Sequence, residues 1–429
     1  MTTRMKSLML LSTAMMLPMA MPAAAACVTA GVDVTCAGTV DVGFTNNANG
    51  VRVTVEADAT VSRDNGDAVR VRGTGSRVTN NGTISGEQPI EGGGSDGIDG
   101  GHGLIVTNNG KITATNKGID ADEKNDLYVT NNGTIYAYDK AIRNGDGLRG
   151  SLRNEGTIES ETDEGFESGN EAWVLNTGTI RASDDAIQVG ENASIFNYGL
   201  IESVRRGGDE NDPQDGIDLD SGVVSNYYGA VIRSDDDAAI DFDESVITST
   251  INNYGTIEGT VGVLTDPANT ASQIIYNYGS MTGTSGIAVD LGFGNDELRL
   301  YNGSKLNGDA LLGDGDDTAY FGAGIANSLM NSIINGGAGS DTAIFAGLEF
   351  ASLLGVKLFG QIMTLSLFND ISDYSVSFVA FDTFRFTDGD YSWDQVAQLT
   401  PPAPVPLPAA GMLMVPALGA LAMLRRRRR

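Results

Sequence analysis

Residues 129–142 read VTNNGTIYAYDKAI, and variants of this stretch return along most of the chain. Short apolar runs around Val129 and Ile135 flank an Asn-Asn-Gly turn, which by itself predicts strand, turn and strand. The glycine of each copy marks its position, and the spacing between markers is 21 to 30 residues. The markers are Gly82, Gly110, Gly133, Gly156, Gly178, Gly199, Gly229, Gly255, Gly279 and Gly303. Such a series predicts a solenoid in which each copy is one coil.

The length and composition of the unit select the type of solenoid. Helical solenoid repeats are about 33–47 residues long, whereas these units are shorter and rich in residues that disfavour helices. Within a unit, short apolar runs alternate with turn residues, which predicts two or three short strands per coil. Parallel crossovers are almost always right-handed. The predicted fold is therefore all-β: a single-stranded right-handed parallel β-helix with terminal caps.

Residues at fixed distances from the marker glycine are predicted to line the interior. The asparagine two positions earlier would form a ladder of hydrogen-bonded amides. Its members are Asn80, Asn108, Asn131, Asn154, Asn176, Asn197, Asn253 and Asn277. The isoleucine two positions later would form an apolar column at Ile84, Ile112, Ile135, Ile158, Ile180, Ile201 and Ile257. A second column would follow at Ile98, Ile119, Ile142, Ile187, Ile217, Ile240 and Ile287. The glycine would supply either a positive φ or room for close backbone approach.

The position just before the marker changes from asparagine to tyrosine in the later copies. These tyrosines are Tyr198, Tyr228, Tyr254 and Tyr278. An outward row would be able to stack on sugar rings, whereas an inward row would fill the interior. We favour a structural role for the row.

Over roughly residues 75–345, this pattern resembles the passenger regions of autotransporter adhesins and related repeat-rich surface proteins. The resemblance implies a parallel β-helix without catalytic activity that serves adhesion or extracellular matrix structure. Its partner would be a polysaccharide or another cell-surface ligand.

Both ends of the chain carry targeting patterns. Arg4 and Lys6 precede an apolar run and a series of small residues, which predicts a signal peptide over residues 1–26. The last segment, 405–429, contains an apolar stretch followed by five arginines and predicts a transmembrane helix with its arginines in the cytoplasm.

The start of that segment reads Val405, Pro406, Leu407, Pro408 and Ala409. Together with the apolar stretch and the arginines, it resembles the VPLPA-CTERM tail, a relative of the PEP-CTERM sorting signals of Gram-negative bacteria. The resemblance implies transient anchoring in the inner membrane, processing by an exosortase-type protease, and delivery to the cell surface or extracellular matrix. A plain C-terminal membrane anchor is the alternative.

These patterns divide the chain into predicted segments. Between the signal peptide and the sorting tail lie an N-terminal cap with the first irregular coils (27–75), the β-helix (76–345), a C-terminal cap (346–398) and a Pro-rich linker (399–404). The two longest gaps between markers contain insertions at 85–96 and 202–215, which would be either binding loops or plain solvated loops.

The formal net charge is −29, and such a surface repels nucleic acid, so we expect no nucleic-acid partner. Cys27 and Cys36 are the two cysteines of the chain. In an oxidising compartment a disulfide between them is expected, and lipidation of Cys27 is the alternative.

Two stretches raise the alternative of a polysaccharide lyase or hydrolase. SDGIDGGHG (95–103) and SDDAI (183–187) resemble fragments of the polygalacturonase signature, which makes His102, Asp184 and Asp185 candidate catalytic residues. However, an Asp-Gly-Ile pattern recurs in most coils, as at Asp215, and a residue type that every unit needs for folding is weak evidence for one active site.

A second alternative is a calcium-binding module. Glycine-rich turns within 291–345 resemble the nonapeptides of RTX proteins and make Asp296, Asp314, Asp317 and Asp341 candidate Ca²⁺ ligands. RTX cages need successive nonapeptides, whereas these turns recur at the period of the solenoid itself. Plain coil turns are therefore the competing interpretation.

Overall fold

The computed structural model describes residues 25–87, 89, 93–121, 125–204, 214–323, 325, 332–368 and 373–399. Nearly all of the predicted signal peptide and linker, all of the sorting tail, part of the first insertion and most of the second lie outside the described residues. Within the described ranges, no helix is long and apolar enough to cross a membrane.

The described chain is nearly all β, with 54% strand and 2% helix, and forms a parallel β-solenoid of about 13 turns. This confirms the predicted all-β parallel β-helix. Each regular coil contributes strands to three successive sides, named A, B and C in chain order.

Side A comprises the strands that precede the marker glycines and their equivalents. They are β1 (Ala26–Ala30), β2 (Asp33–Ala37), β5 (Arg52–Val55), β8 (Arg77–Asn80), β11 (Ile105–Asn108), β14 (Tyr128–Asn131), β17 (Ser151–Asn154), β20 (Trp173–Asn176), β23 (Ala193–Asn197), β26 (Gly222–Asn226), β29 (Ser249–Asn253), β31 (Gln273–Asn277), β33 (Glu297–Leu300), β35 (Thr318–Phe321), β37 (Thr342–Phe345), β41 (Thr383–Phe386) and β42 (Gly389–Ser392).

Side B follows the marker glycines. It comprises β3 (Thr39–Val40), β6 (Thr60–Arg63), β9 (Thr83–Gly86), β12 (Lys111–Ala114), β15 (Thr134–Ala137), β18 (Thr157–Ser160), β21 (Thr179–Ala182), β24 (Leu200–Ser203) and β27 (Val231–Ser234).

Side C completes each coil. It comprises β4 (Phe44–Thr45), β7 (Val69–Val71), β10 (Ile98–Gly100), β13 (Ile119–Asp120), β16 (Ile142–Arg143), β19 (Phe166–Ser168), β22 (Ile187–Val189), β25 (Ile217–Leu219), β28 (Ala238–Phe242), β36 (Ile333–Asn335) and β40 (Asp373–Val379). Three long strands turn the corner from side B to side C, namely β30 (Thr256–Thr265), β32 (Ser280–Asp290) and β34 (Lys305–Leu311).

The predicted amide ladder is present inside the corner between sides A and B. Each asparagine from Asn80 to Asn253 donates its side-chain N–H to the side-chain oxygen of the next one, up to Asn277, with N···O distances of 2.8–3.0 Å. The ladder also contains Asn226, which the repeat spacing missed. Tyr228 is an extra residue in that turn, so Asn226 lies three positions before Gly229 rather than two.

The first isoleucine column is confirmed, because all seven side chains are fully buried. The second column holds from Ile98 to Ile240, with Phe166 completing it between Ile142 and Ile187. The prediction for Ile287 is wrong. A shift of register in β32 leaves Ile287 half-buried and places Val289 beside Val263 in the column.

The marker glycines allow the backbones of successive coils to approach closely. A Cβ on Gly133 would lie 2.0 Å from the carbonyl oxygen of Gly110 in the preceding coil, and the same holds along most of the series. Gly229 is an exception, because its φ is +82° and a Cβ there would meet no other atom within 4 Å.

The ends depart from the repeat. β1 pairs antiparallel with β2, and a disulfide joins Cys27 to Cys36 across this pair. Parallel pairing begins with β2 and β5, so regular coils start before the predicted boundary at residue 76.

At the other end of the chain, β38 (Leu353–Phe359), β39 (Ile362–Phe368) and β40 form antiparallel pairs. A 3₁₀ turn (Phe350–Ser352) precedes these strands, and helix α1 (Trp393–Ala397) follows them. β40 and β41 each pair in parallel with the preceding coil.

Candidate binding surface

The outer surface of the solenoid has a different character on each side. On side A, the five consecutive strands β20, β23, β26, β29 and β31 contain no Asp, Glu, Lys or Arg. In a chain in which 19% of the residues are charged, five such strands in a row set this side apart.

Side B carries alternating charges over the first four of these coils and the coil before them. Its central outward column reads Glu159, Arg181, Glu202, Arg233 and Glu258, each in register with the next. The carboxylate of Glu202 is buried between two guanidinium groups and lies 2.6 Å from Nη2 of Arg181. The central three charges of this column are therefore paired with one another.

Side C is acidic. Asp218 and Asp241 lie in register on adjacent coils, and one buried oxygen of each carboxylate accepts no hydrogen bond. Burial, and next the carboxylate of Asp243, raise the pKa of Asp218 to about 8 and that of Asp241 to about 7. These two carboxyl groups are therefore at least half protonated at neutral pH, and the repulsion of anions comes from exposed carboxylates beside them, at Asp243 and Glu244.

Several outward side chains of the five uncharged strands are large and partly exposed. Trp173 and Val223 are each 39% exposed, and the rings of Trp173 and Phe196 lie 6.2 Å apart. The column that contains Phe196 continues with Ser225 and Asn252, which offer neutral hydrogen-bonding groups.

A tyrosine column runs along the adjacent corner. It consists of Tyr198, Tyr227, Tyr254, Tyr278 and Tyr301, with ring planes within 14° of parallel between neighbours. The centroid distances along the column are 4.0, 6.3, 4.8 and 4.3 Å. These five residues and the five strands together are called the uncharged flank.

Two expectations about this row are corrected. The exposed rings place the column on the outer surface, so it does not fill the interior. Tyr227, rather than Tyr228, belongs to it, because the column occupies the position after the asparagine ladder. Tyr228 is the inserted residue and projects outward with 93% exposure.

A groove opens where neighbouring rings of the column are farthest apart, between Tyr227 and Tyr254. Its volume is about 660 Å³, and it is lined by Ser225, Tyr227, Tyr228, Asn252, Tyr254 and Tyr278. The lining combines aromatic rings with hydroxyl and amide groups and contains no charged side chain, which is the chemistry that suits an uncharged polyhydroxylated ligand. The repeat spacing missed Trp173, Phe196 and Tyr227, although the missing charges in five successive strands were a readable signal.

The structure does not bring the candidate catalytic residues together. His102 follows β10 at the corner between sides C and A, is half-exposed, and has Nε2 3.8 Å from Oδ2 of Asp126. Asp184 and Asp185 follow β21 at the corner between sides B and C, four coils away, which is about 19 Å at the spacing of paired strands.

Asp185 belongs to a set of aspartates whose carboxylates accept hydrogen bonds from backbone N–H groups of neighbouring coils. Its Oδ1 accepts the N–H of Asp215 in the next coil at 2.7 Å, and Asp215 accepts the N–H of Ala238 at 2.7 Å. Asp96 accepts the N–H of Lys117 at 3.0 Å in the same way. This explains why Asp-Gly-Ile recurs along the chain.

Among the described residues, one group of three carboxylates has its oxygens within 4.8 Å of one another: Asp163, Glu164 and Asp184. The ammonium group of Lys140 lies against two of them, 3.1 Å from Asp163 and in direct contact with Glu164. A side-chain cation therefore already offsets part of the negative charge of this cluster.

Three of the candidate calcium ligands form a second ladder, at the corner between sides C and A. Oδ1 of Asp317 accepts the N–H of Asp296 at 2.7 Å, and Oδ1 of Asp341 accepts the N–H of Asp317 at 2.9 Å. Asp382 continues the ladder by accepting the N–H of Asp341 at 3.0 Å. The fourth candidate, Asp314, is exposed and pairs through its backbone with neighbouring turns.

Asp296, Asp317 and Asp341 of this second ladder are buried, and the first two are imperfectly satisfied. Oδ2 of Asp296 and Oδ2 of Asp317 are buried and accept no hydrogen bond. Burial raises the pKa of Asp296 to about 8 and that of Asp317 to about 7. The arrangement is one of hydrogen-bonded rungs rather than a closed cage, and calcium binding stays a prediction.

A scan against protein-family models found no match, and searches of curated proteins and of solved structures found none either. The candidate surface therefore rests on its own geometry and chemistry.

Proposed function

We propose that this chain is an exported surface protein without catalytic activity, whose uncharged flank binds an uncharged polysaccharide in adhesion or in the extracellular matrix. The observation that carries the proposal is the run of five uncharged strands flanked by the exposed tyrosine column. Depletion of charge together with enrichment of aromatic side chains distinguishes binding surfaces from the rest of a protein surface.

The chemistry of the flank argues for a neutral ligand. An anionic chain would meet the overall charge of −29 and the acidic side C, and both repel it. Ser225 and Asn252 offer hydrogen bonds to hydroxyl groups, and the rings of Tyr228 and Tyr254 offer apolar surface to the C–H faces of a sugar.

The rigidity of the solenoid supports the same proposal. The tyrosine column spans four coil steps, or about 19 Å at the spacing of paired strands. An extended polysaccharide that lies along the column would therefore make several contacts in one line. Each contact adds little alone, and several on a preorganised surface add up without further ordering cost.

Export and sorting belong to the proposal as well. The apolar start of the chain and the sorting pattern at 405–429 support secretion, transient anchoring in the inner membrane through the tail, and an exosortase-type protease as processing partner. The final location would be the cell surface or the extracellular matrix.

The test is binding of the full chain to immobilised neutral, anionic and cationic polysaccharides, with Tyr228→Ala and Tyr254→Ala as variants. We expect binding to a neutral polysaccharide and a loss of about 10-fold for each variant, since one aromatic stacking contact contributes roughly 1–3 kcal/mol. Tyr138→Ala is the matched control, because Tyr138 is 37% exposed and lies outside the flank.

Tyr228 is almost fully exposed, so its removal leaves the fold intact and thermal melting should confirm this. Equal binding by all three variants would refute the proposal. Release of reducing ends or unsaturated products from any member of the panel would instead favour the alternative of a lyase or hydrolase on the same scaffold.

A further inference from the structure

Two pairs in the tyrosine column are stacked more closely than the other neighbours. Tyr198 and Tyr227 have ring centroids 4.0 Å apart and ring planes 5° from parallel, and Tyr278 and Tyr301 have values of 4.3 Å and 5°. The remaining neighbours are farther apart, at 4.8 Å for Tyr254 and Tyr278 and 6.3 Å for Tyr227 and Tyr254.

We propose that Tyr198–Tyr227 and Tyr278–Tyr301 are sites of oxidative cross-linking, at which a peroxide-dependent one-electron oxidant joins successive coils through dityrosine. The inference is independent of polysaccharide binding, because it concerns the reactivity of the rings with each other.

The reaction balances within each pair. Each phenol loses one electron and one proton, which leaves two phenoxyl radicals with unpaired spin at the ring carbons ortho to oxygen. A C–C bond forms between one ortho carbon of each ring, and the hydrogen on each of these carbons then moves to the phenolic oxygen, so that both phenols are restored. The two electrons and two protons reduce one hydrogen peroxide to two waters.

The geometry favours coupling within a pair over other fates. Parallel rings at about 4 Å hold the two π-systems in van der Waals contact, the approach along which two ring radicals combine. Fixed neighbours react as if present at very high local concentration. Tyr198 is 49% exposed, so an external oxidant reaches the pair from solvent.

The surroundings fit an oxidative modification. The disulfide between Cys27 and Cys36 is of the kind that persists in an oxidising compartment. Among the described cysteines none is free to compete for the oxidant, since both are in this bond. Cross-links here would tie neighbouring coils of the exposed column covalently together.

The experiment treats the full chain with hydrogen peroxide and a haem peroxidase, then maps cross-linked peptides by mass spectrometry. We expect a loss of two hydrogens per link, dityrosine fluorescence, and links between Tyr198 and Tyr227 and between Tyr278 and Tyr301. Links between Tyr227 and Tyr254 should be the rarest in the column, because these rings are the farthest apart.

Tyr198→Phe and Tyr278→Phe keep the stacked ring but lack the phenol, so each should abolish one link and leave the other. Tyr138→Phe, at an exposed tyrosine outside the column, should change neither. Thermal melting of each variant should match the parent. The proposal would be overturned if the links survived both column substitutions. It would also be overturned if links formed only between separate molecules, or if other tyrosines were oxidised without any link in the column.

Discussion

The interior of the solenoid changes character along its length. From β8 to β31, the corner between sides A and B is occupied by the amide ladder. In the next coils the same column continues with Leu300, Phe321 and Phe345, and the rings of the two phenylalanines stack at 5.1 Å. Where the amides end, the aspartate ladder begins at the neighbouring corner, with Asp296 as its first rung.

The two ladders both satisfy buried polar groups between successive coils, but with different chemistry. An amide both donates and accepts, so every asparagine satisfies the next and the ladder carries no charge. An ionised carboxylate only accepts, so each aspartate accepts a backbone N–H from the preceding coil, and Asp296 and Asp317 are left with a second buried oxygen that accepts no hydrogen bond. Burial then favours the protonated form. The amide ladder itself should therefore be indifferent to pH, whereas the aspartate ladder should not.

The largest expected loss of stability comes from adding a side chain at a marker glycine, where successive coils of the amide segment lie in close contact. In Gly133→Ala, the added Cβ would lie 2.0 Å from the carbonyl oxygen of Gly110, so the coils must separate. We expect a loss of about 4 kcal/mol or more, or failure to fold. Gly355→Ala is the matched control, because a Cβ there meets no other atom within 4 Å. Chemical denaturation measures both, and a stable Gly133→Ala protein would contradict the close packing of the coils.

Breaking one rung of the amide ladder should have the next largest effect. Asn131 is fully buried, accepts from Asn108 and donates to Asn154, both at 2.8 Å. Asn131→Ala leaves both partners incompletely bonded and should lower the free energy of unfolding by about 3 kcal/mol. The adjacent Asn132 also bonds a neighbouring asparagine but is exposed, so Asn132→Ala should cost about 0.5 kcal/mol or less. Equal losses in the two variants would show that burial does not decide the strength of the ladder.

The smallest effect should appear in the aspartate segment and depend on pH. Because the folded protein raises the pKa of Asp296 to about 8, its contribution to stability is fully present below about pH 4 and is lost as the pH rises towards 8. Asp296→Asn keeps an acceptor for the N–H of Gln273 and removes the charge. It should match the parent near pH 4 and exceed it near pH 8 by on the order of 1 kcal/mol or more.

Melting curves across this range test the comparison of the ladders directly. A parent protein whose stability does not fall between pH 4 and pH 8, or an Asp296→Asn variant that falls equally, would show that this carboxylate is compensated in some other way. The same melts of Asn131→Ala should show a deficit that stays constant with pH, because no rung of the amide ladder titrates.

Much of this architecture could be predicted from the repeat, because coils in register force one residue type to recur at one place. The amide ladder and the first isoleucine column follow directly from that rule. Ile287 and Asn226 escaped it because a register shift and an inserted residue change the local count. The outer surface was harder, since no packing rule fixes which way a tyrosine points. The inward assignment of the tyrosine row failed for that reason.

The most direct test of the central claim is oxidative footprinting of the full chain with and without a bound neutral polysaccharide. We predict that Trp173, Tyr254 and Tyr278 become protected, whereas Tyr138 reacts at the same rate in both states. Protection of Tyr138 equal to that of the flank, or no protection of the flank at saturating ligand, would contradict the assignment of the uncharged flank as the binding surface.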